Sequence, residues 1–330
     1  MKYDFVSVGD VTTDSFIKLK DGIHIDSAHD GHEKAVCLNF GDKVEYEDVT
    51  IVHGVGNAGN AAVSAQRLGL NAALATDIGT DEGGNKCIVA WEADGLSREF
   101  VRRHKEFPTQ HHFVLRYGPE RTILIKHQKY PYAVPDFPEP PRWIYFSSVG
   151  EHGLAYHHEL AAYVKESGIK LAFQPGSFQI SLGTNKIKDV YEAAEIFFCN
   201  KQEAQRILEN SEDDFKKLLD GVRSLGPNIA VVTDGPGGAY ASDGKEYWRM
   251  PMYPDPAPPV DRTGAGDAFA STVVSFLALG ESLEVALERG PINSMSVVQY
   301  VGAQKGLLSR EQIEQFLKSA PADYKLTKIA

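Results

Sequence analysis

The sequence predicts an α/β protein, with a mostly parallel central sheet, helices on both faces and a small β-sheet beside it. Three observations carry that expectation. From about residue 54, short apolar runs alternate with segments of helical period, as in a parallel sheet connected through crossover helices. Glycine-rich turns follow several of the apolar runs. Two tracts, near 16–52 and 100–128, interrupt the alternation with β-like runs that have no helix between them. These tracts are expected to pair as a discontinuous unit, 16–52 with 100–128, outside a main domain of 1–15, 53–99 and 129–330.

Taken in order, Phe5-Val6-Ser7-Val8-Gly9-Asp10 reads as a short buried strand ending in a glycine turn. Polar residues just past a strand end meet ligands in open α/β sheets, so Asp10 and Asp14 are candidates. Turn formation and helix capping explain the same two residues equally simply. Residues 16–19 and 49–52 are β-like, and the polar stretch between them holds His24, His29 and His32. Their spacing does not suit a metal site, and a solvated loop is expected. Gly54-Val55-Gly56-Asn57-Ala58-Gly59 then opens a helix of small residues. This matches the dinucleotide fingerprint, with Asp77 near the distance of a ribose-binding acid. The match does not follow the first strand, however, and Asn57 and Asn60 bring amide side chains suited to sugar hydroxyls.

Residues 72–76 form the next strand, and 83–95 fit a helix. Residues 79–86 resemble a phosphate loop only superficially, since Asn85 stands where a lysine is required. Residues 100–128 alternate like a hairpin around Gly118-Pro119. Five prolines within 131–141 make a loop, 143–147 a strand, 155–167 a helix and 170–173 a strand. His157-His158-Glu159 begins like a zinc-peptidase helix, but Ala162 occupies the place of the second histidine. A helix at 189–194 precedes the apolar strand 195–199. Asn200, with Glu203 three residues on, has the form of a capping box. A helix at 213–225, a strand at 229–233 and the turn Asp234-Gly235-Pro236-Gly237-Gly238 follow. Helices are then expected at 268–279, 283–290, 292–300 and 310–318.

A net charge of −11 argues against a nucleic-acid or anionic-membrane partner. Cys37, Cys87 and Cys199 are far apart and read as reduced thiols. With no signal-peptide pattern in Met1-Lys2-Tyr3-Asp4 and no apolar run of membrane-spanning length, a cytoplasmic protein is expected.

The most informative stretch is Asp261-Arg262-Thr263-Gly264-Ala265-Gly266-Asp267-Ala268-Phe269. It joins an extended proline-rich run to an apolar helix. The amides of 264–267 form the open first turn of that helix, where unpaired N–H groups and the positive end of the dipole attract anions. Asp267 sets a carboxylate beside those donors. A phosphate site next to a base for a hydroxyl points to phosphoryl transfer.

With these residues in place, the chain resembles the ribokinase-like sugar kinases, the PfkB carbohydrate kinases. The stretch from Asp261 to Phe269 is similar to their C-terminal signature. Gly56-Asn57-Ala58-Gly59-Asn60 through Arg67-Leu68-Gly69 resembles the N-terminal one. Asn200 with Glu203 looks like the family's Asn-x-x-Glu element, and Val232-Thr233-Asp234-Gly235 with Gly238-Ala239 like its nucleotide-side turn. The resemblance implies a three-layer α/β/α sandwich with a β lid, ATP and Mg²⁺ as cofactors and a small sugar as acceptor. Asp267 would be the base, and the amides of Gly264, Ala265, Gly266 and Asp267 the anion hole. Asp10, Asp14 and Asn60 would hold sugar hydroxyls, with Gly56 and Asn57 letting the sugar approach the backbone. Glu203 would act on Mg²⁺ through water. Asn200, Thr233, Gly235, Gly238 and Asn293 would lie along the nucleotide. Asp261 and the Thr263 carbonyl, near Gly302, resemble the K⁺ site of some members.

Arg262, Ser271-Thr272 and Gln174-Pro175-Gly176 depart from the family pattern, the last replacing the usual Asp-Pro-Asn. Alternatives stay open at this point. Phe16, Phe107, Phe113 and Tyr117 could stack on the base of a nucleoside acceptor. Arg102, Arg103, Arg116 and Lys126 could meet a sugar phosphate. A sugar-binding regulator without catalysis is a reading from a different class. Open lid edges suggest a homodimer through the lid.

Overall fold

The protein is described by a computed structural model covering residues 2–20, 25–26, 35–118 and 120–329. His24, His29 and His32 lie outside the described residues, as does Pro119 of the expected turn. The chain starts with β1 (Phe5–Val8) and β2 (Thr12–Leu19), then a two-stranded pair, β3 (Ile25–Asp26) and β4 (Ala35–Val36). Next come β5 (Tyr46–Val55), α1 (Asn57–Arg67), β6 (Ala72–Gly79), α2 (Glu82–Ala93) and β7 (Ser97–His104). The hairpin β8 (His111–Tyr117) and β9 (Glu120–Leu124) leads to β10 (Trp143–Phe146), α3 (Leu154–Ser167) and β11 (Lys170–Phe173). Short helices α4 (Ser177–Leu182) and α5 (Lys188–Ala193) precede β12 (Ala194–Asn200), α6 (Lys201–Ile207) and α7 (Phe215–Ser224). The last third holds β13 (Ile229–Thr233), β14 (Ala239–Ser242), β15 (Tyr247–Met250), α8 (Ala265–Ala278), α9 (Leu283–Val297), α10 (Arg310–Lys318) and β16 (Thr327–Lys328).

Ten strands form the main sheet in the order β16-β15-β14-β13-β12-β11-β10-β1-β6-β7. Pairing is parallel from β7 to β13 and antiparallel from there to β16. Successive side chains of a strand point to opposite faces, and the central strands divide accordingly. Phe5, Leu74, Ala172, Ile196, Phe198 and Val231 join the core beneath α1, α8 and α9. Val6, Val8, Ala73, Leu171, Phe173, Phe197, Ala230 and Val232 join the core beneath α3 and α7. Both faces are therefore buried, which is why these strands read as nearly continuous apolar runs.

β1 lies between β6 and β10, so the chain leaves it in both directions. A crevice opens at such a switch point, outside the carboxyl ends of the strands. Asp10, Gln174, Asn200 and Thr233 all sit at or just beyond strand ends on that side.

The small sheet covering this crevice has the order β5-β2-β8-β9. Its extent differs from the expectation. β2 begins at Thr12, which puts Asp14 on a lid strand, and β5 continues to Val55. Ser97–His104 belongs instead to the main sheet, where it pairs in parallel with β6. An alternating edge strand and a hairpin strand carry the same two-residue period, so sequence alone did not separate them. The helices expected at 283–290 and 292–300 form one helix, α9, with Pro291 inside it. Proline removes one backbone bond, but Leu287, Ile292 and Met295 are buried on both sides and hold the helix together. Among the described residues, no helix is long and apolar enough to cross a membrane.

The loop before α1 is fixed from two directions. The Gly54 carbonyl accepts from Trp91 Nε1 and from Gln304 Nε2, both at 2.9 Å. Trp91 is among the largest fully buried side chains. Replacing it with alanine is expected to cost about 3–5 kcal/mol. Urea unfolding measures this, and a loss below about 1 kcal/mol would remove Trp91 as the anchor of that loop.

Candidate active site

Two adjoining cavities, about 360 and 220 Å³, share Thr233, Arg262, Gly266 and Phe269 in their walls, and the larger lies under the lid. The start of α8 lies at their junction. Its cap, Gly264, has φ +81°, and a Cβ there would lie 2.2 Å from the Cβ of Ala303. Glycine thus permits both the left-handed turn and the close approach. The first turn of α8 leaves N–H groups without intrahelical acceptors, and these face the crevice.

Asp267 lies in that first turn and is 7% exposed. Its Oδ1 accepts from Asn57 Nδ2 at 2.7 Å, and its Oδ2 from Asn60 Nδ2 at 2.8 Å. Gln174 Nε2 approaches Oδ1 at 3.3 Å. Burial raises the Asp267 pKa, while the donors from Asn60, Asn57 and Gln174 and the charge of Arg121 oppose that rise. Both asparagines come from the start of α1, positioned by the turn at Gly56 (φ +92°), where a Cβ would sit 3.1 Å from the Asp10 carbonyl oxygen.

The larger cavity extends from Asp267 toward the lid. Asp10, Asp14, Gly56, Asn57 and Asn60 all line it. The Asp10 carboxylate accepts from Tyr132 Oη at 2.9 Å and pairs with His127 Nδ1 at 2.8 Å. Among the described residues, Asp14 Oδ1 is buried without a hydrogen-bond partner, as are Asn60 Oδ1, both amide atoms of Gln110, His112 Nε2 and Arg121 Nε. Burial pushes the Asp14 carboxyl up to about 7, and the nearby charges of Asp261 and Asp267 add to the rise. Burial also lowers His112 to about 4. Gln110, His112, Arg121 and His127 line the cavity although their sequence context carried no motif. His112 and Arg121 lie on lid strands, where inward parity is the signal they carry, whereas Gln110 and His127 lie in the loops beside those strands.

Asn200 and Glu203 line the same cavity and also form a complete capping box. Asn200 Oδ1 accepts from Glu203 N, and Glu203 Oε2 from Asn200 N, both at 2.8 Å. Burial raises the Glu203 pKa. The smaller, largely apolar cavity is lined by Thr233, Gly235, Gly238, Ala265 and Gly266 together with Met252, Pro291 and Met295. Asn293 does not line either cavity. It is buried beneath them, donating to Thr272 Oγ1 at 2.8 Å and accepting from Leu308 N at 2.9 Å. Thr272, a departure from the family pattern, is therefore the partner of Asn293. Asp261 is likewise internal, accepting from Thr263 N, Thr263 Oγ1 and Gly302 N at 2.8–3.0 Å.

The residues marked for the alternative acceptors lie elsewhere. Phe16 is lid core, Phe113 is on the outer lid face, and neither they nor Phe107 and Tyr117 line the cavities. Arg102 pairs with Asp77, Arg103 with Asn85, and Arg116 with the Val260 carbonyl. Arg121 is the lid arginine in the cavity wall.

The site therefore unites the open start of a helix, a buried carboxylate and a polar pocket under a lid. The sequence profile of the pfkB family carbohydrate kinases matches residues 23–310, and the chain belongs to that family. It is 25% identical over 317 residues to an ATP-dependent 6-phosphofructokinase of Thermoanaerobacterium thermosaccharolyticum, covering 92% of this chain and 90% of that one. Its fold is similar to that of Arabidopsis thaliana ribokinase complexed with ribose and ATP (TM-score 0.79, 18% identity, 96% and 99% of the two chains). A nucleoside kinase of Methanocaldococcus jannaschii is similar to the same extent (TM-score 0.78, 16% identity, 96% and 99%). The chain is accordingly a sugar or nucleoside kinase of the ribokinase fold.

The raised Asp14 pKa has a consequence for stability. A carboxyl whose folded value, about 7, exceeds its unfolded 3.8 stabilises the fold at low pH, and that contribution is lost as pH rises from about 4 through 7. The loss amounts to at most roughly 4 kcal/mol. In Asp14→Asn that part of the pH dependence should vanish. Urea midpoints for both proteins between pH 4 and 8 measure it, and parallel curves would reject the assignment.

Proposed function

We propose that this protein transfers the γ-phosphoryl group of ATP to a primary hydroxyl of a small sugar. The observation that carries the reading is the Asp267 carboxylate, held by Asn57 and Asn60 at the open start of α8, where the two cavities meet. With both oxygens accepting hydrogen bonds, Asp267 is kept as a base and aimed at the junction. The amides of residues 264–267 are oriented to stabilise charge on the phosphoryl group in transit. The apolar smaller cavity suits the nucleotide. The unpaired buried atoms of Asp14, Asn60, Gln110 and His112 suit a ligand rich in hydroxyls.

The four lid aromatics singled out for stacking lie away from the cavity, whose half-buried aromatic is Phe178, and the unpaired buried polar atoms around it favour a sugar over a nucleoside. Glu203, whose Oε2 serves its cap, would hold Mg²⁺ through water. Mg²⁺, when bound, would neutralise charge on the nucleotide phosphates. K⁺ is proposed at Asp261 and the Thr263 carbonyl.

A coupled ADP-release panel of ribose, fructose, 2-keto-3-deoxygluconate, sugar phosphates and nucleosides, with and without K⁺, tests the reading. One neutral sugar should give turnover. Asp267→Asn should retain the fold by circular dichroism and lose roughly 10²–10⁴ in rate. Near-normal turnover in that variant, or no turnover with any member of the panel, would sink the proposal.

The lid is also proposed as the contact of a homodimer. Val49, Ile51, Phe113 and Leu124 are each more than 40% exposed, on paired strands whose edges, β5 and β9, are open. Sedimentation should give a dimer for the wild type and a monomer for Phe113→Asp. A monomeric wild type at micromolar concentration rules this contact out.

A further inference from the structure

Lys18, Arg116 and Arg121 stand in one row across three lid strands, with Lys18 opposite Arg116 and Arg116 opposite Arg121. Like charges directly opposite one another destabilise a sheet, so each cation calls for a partner. Lys18 has Glu47, and Arg116 has the Val260 carbonyl at 2.7 Å. Arg121 Nε is buried with no hydrogen-bond partner among the described residues, and its side chain lines the larger cavity. A buried, unpaired guanidinium donor is costly. It fits a place that is filled by an anion during function.

The position identifies which anion. Arg121 shares a cavity wall with Gly264, Gly266 and Asp267, and its charge reaches the Asp267 carboxylate. The start of α8 lines this cavity from the main domain, and Arg121 lines it from the lid. We propose that Arg121 is a catalytic residue that donates to the phosphoryl group in transit, completing from the lid the charge stabilisation that α8 begins. This rests on the kinase reading above. In the step it serves, the acceptor oxygen bonds to the γ-phosphorus as the bond from that phosphorus to the β,γ-bridging oxygen breaks. The hydroxyl proton passes to Asp267, and ADP leaves with the electron pair of the broken bond. Arg121 exchanges no atom; its guanidinium acts on the equatorial oxygens. Because it arrives with the lid, full stabilisation is assembled only when the crevice is closed.

Binding of MgADP with and without aluminium fluoride, a mimic of the phosphoryl group in transit, tests this on the full chain by calorimetry. Arg121→Ala should bind ADP alone within about twofold of wild type and lose roughly 10²–10³-fold in the tightening that fluoride produces, the scale of losing one oxyanion donor. In turnover, kcat should fall by a similar factor at nearly constant acceptor KM. Free guanidinium should restore part of the rate to Arg121→Ala, and Arg121→Lys should be intermediate. The proposal is overturned if fluoride tightens ADP equally in both proteins, or if the loss appears in acceptor KM at unchanged kcat, which would make Arg121 a ligand for an anionic acceptor. Absence of ADP binding in the wild type is a separate result that overturns the kinase reading itself.

Discussion

The structure depends on one arrangement, two helix starts aimed at a single carboxylate. Asp267 sits in the first turn of α8, and the two asparagines that hold it sit in the first turns of α1. Each helix brings a positive dipole end and unpaired N–H groups to the same point. Such a point stabilises negative charge, first on Asp267 and then on any phosphoryl group placed beside it. Burial works against the carboxylate by raising its pKa. The three side-chain donors and the two helix starts work in the opposite direction. Small residues near both junctions are a condition of this convergence, since the turns at Gly56 and Gly264 each need a positive φ and a near approach of other backbone.

Gln174 shows how a departure from the family pattern fits into that balance. Its side-chain oxygen accepts from Tyr145 Oη, which turns the amide nitrogen toward Asp267. An aspartate in its place, the residue usual in the family pattern, would set a second carboxylate near Asp267 and raise its pKa further. A glutamine adds a donor instead. The substitution therefore reinforces the ionised state of Asp267 without adding charge to the crevice.

What was legible in the sequence was local in the chain. The turn and helix start at 261–269, the Gly56–Asn60 junction and the Asn200–Glu203 box each define their own geometry within a few residues, and all three line one cavity. The alternation of strands and helices was enough for the layered fold, because buried parallel strands are apolar on both faces. The lid was only half legible. Its strands alternate, but which parity faces the crevice depends on pairing with distant strands. Hence Phe113, which faces outward, read as a ligand contact, while His112 and Arg121, which face the cavity, did not. Asn200 and Glu203 show the opposite limit, since a cap and a ligand site impose the same spacing and the structure uses the pair as a cap at the cavity wall. Asn293 illustrates a third. A buried amide that ties α9 to Thr272 and Leu308 looks, in sequence, the same as one that faces a ligand.

The polar atoms left unpaired beneath the lid bear on specificity. Asp14, Asn60, Gln110 and His112 each carry buried donors or acceptors that no other described residue satisfies. Each such group costs about 1–3 kcal/mol if it remains unpaired away from water. An acceptor that supplies matching hydroxyls relieves that cost when the lid closes over it, and one lacking a hydroxyl leaves a buried group stranded. Discrimination by this route is steep, because a site built to hydrogen-bond a substrate rejects an analogue without the group far better than an apolar pocket rejects a change in size. Under the proposed function, these unpaired atoms would link recognition of the acceptor to closure of the lid over it.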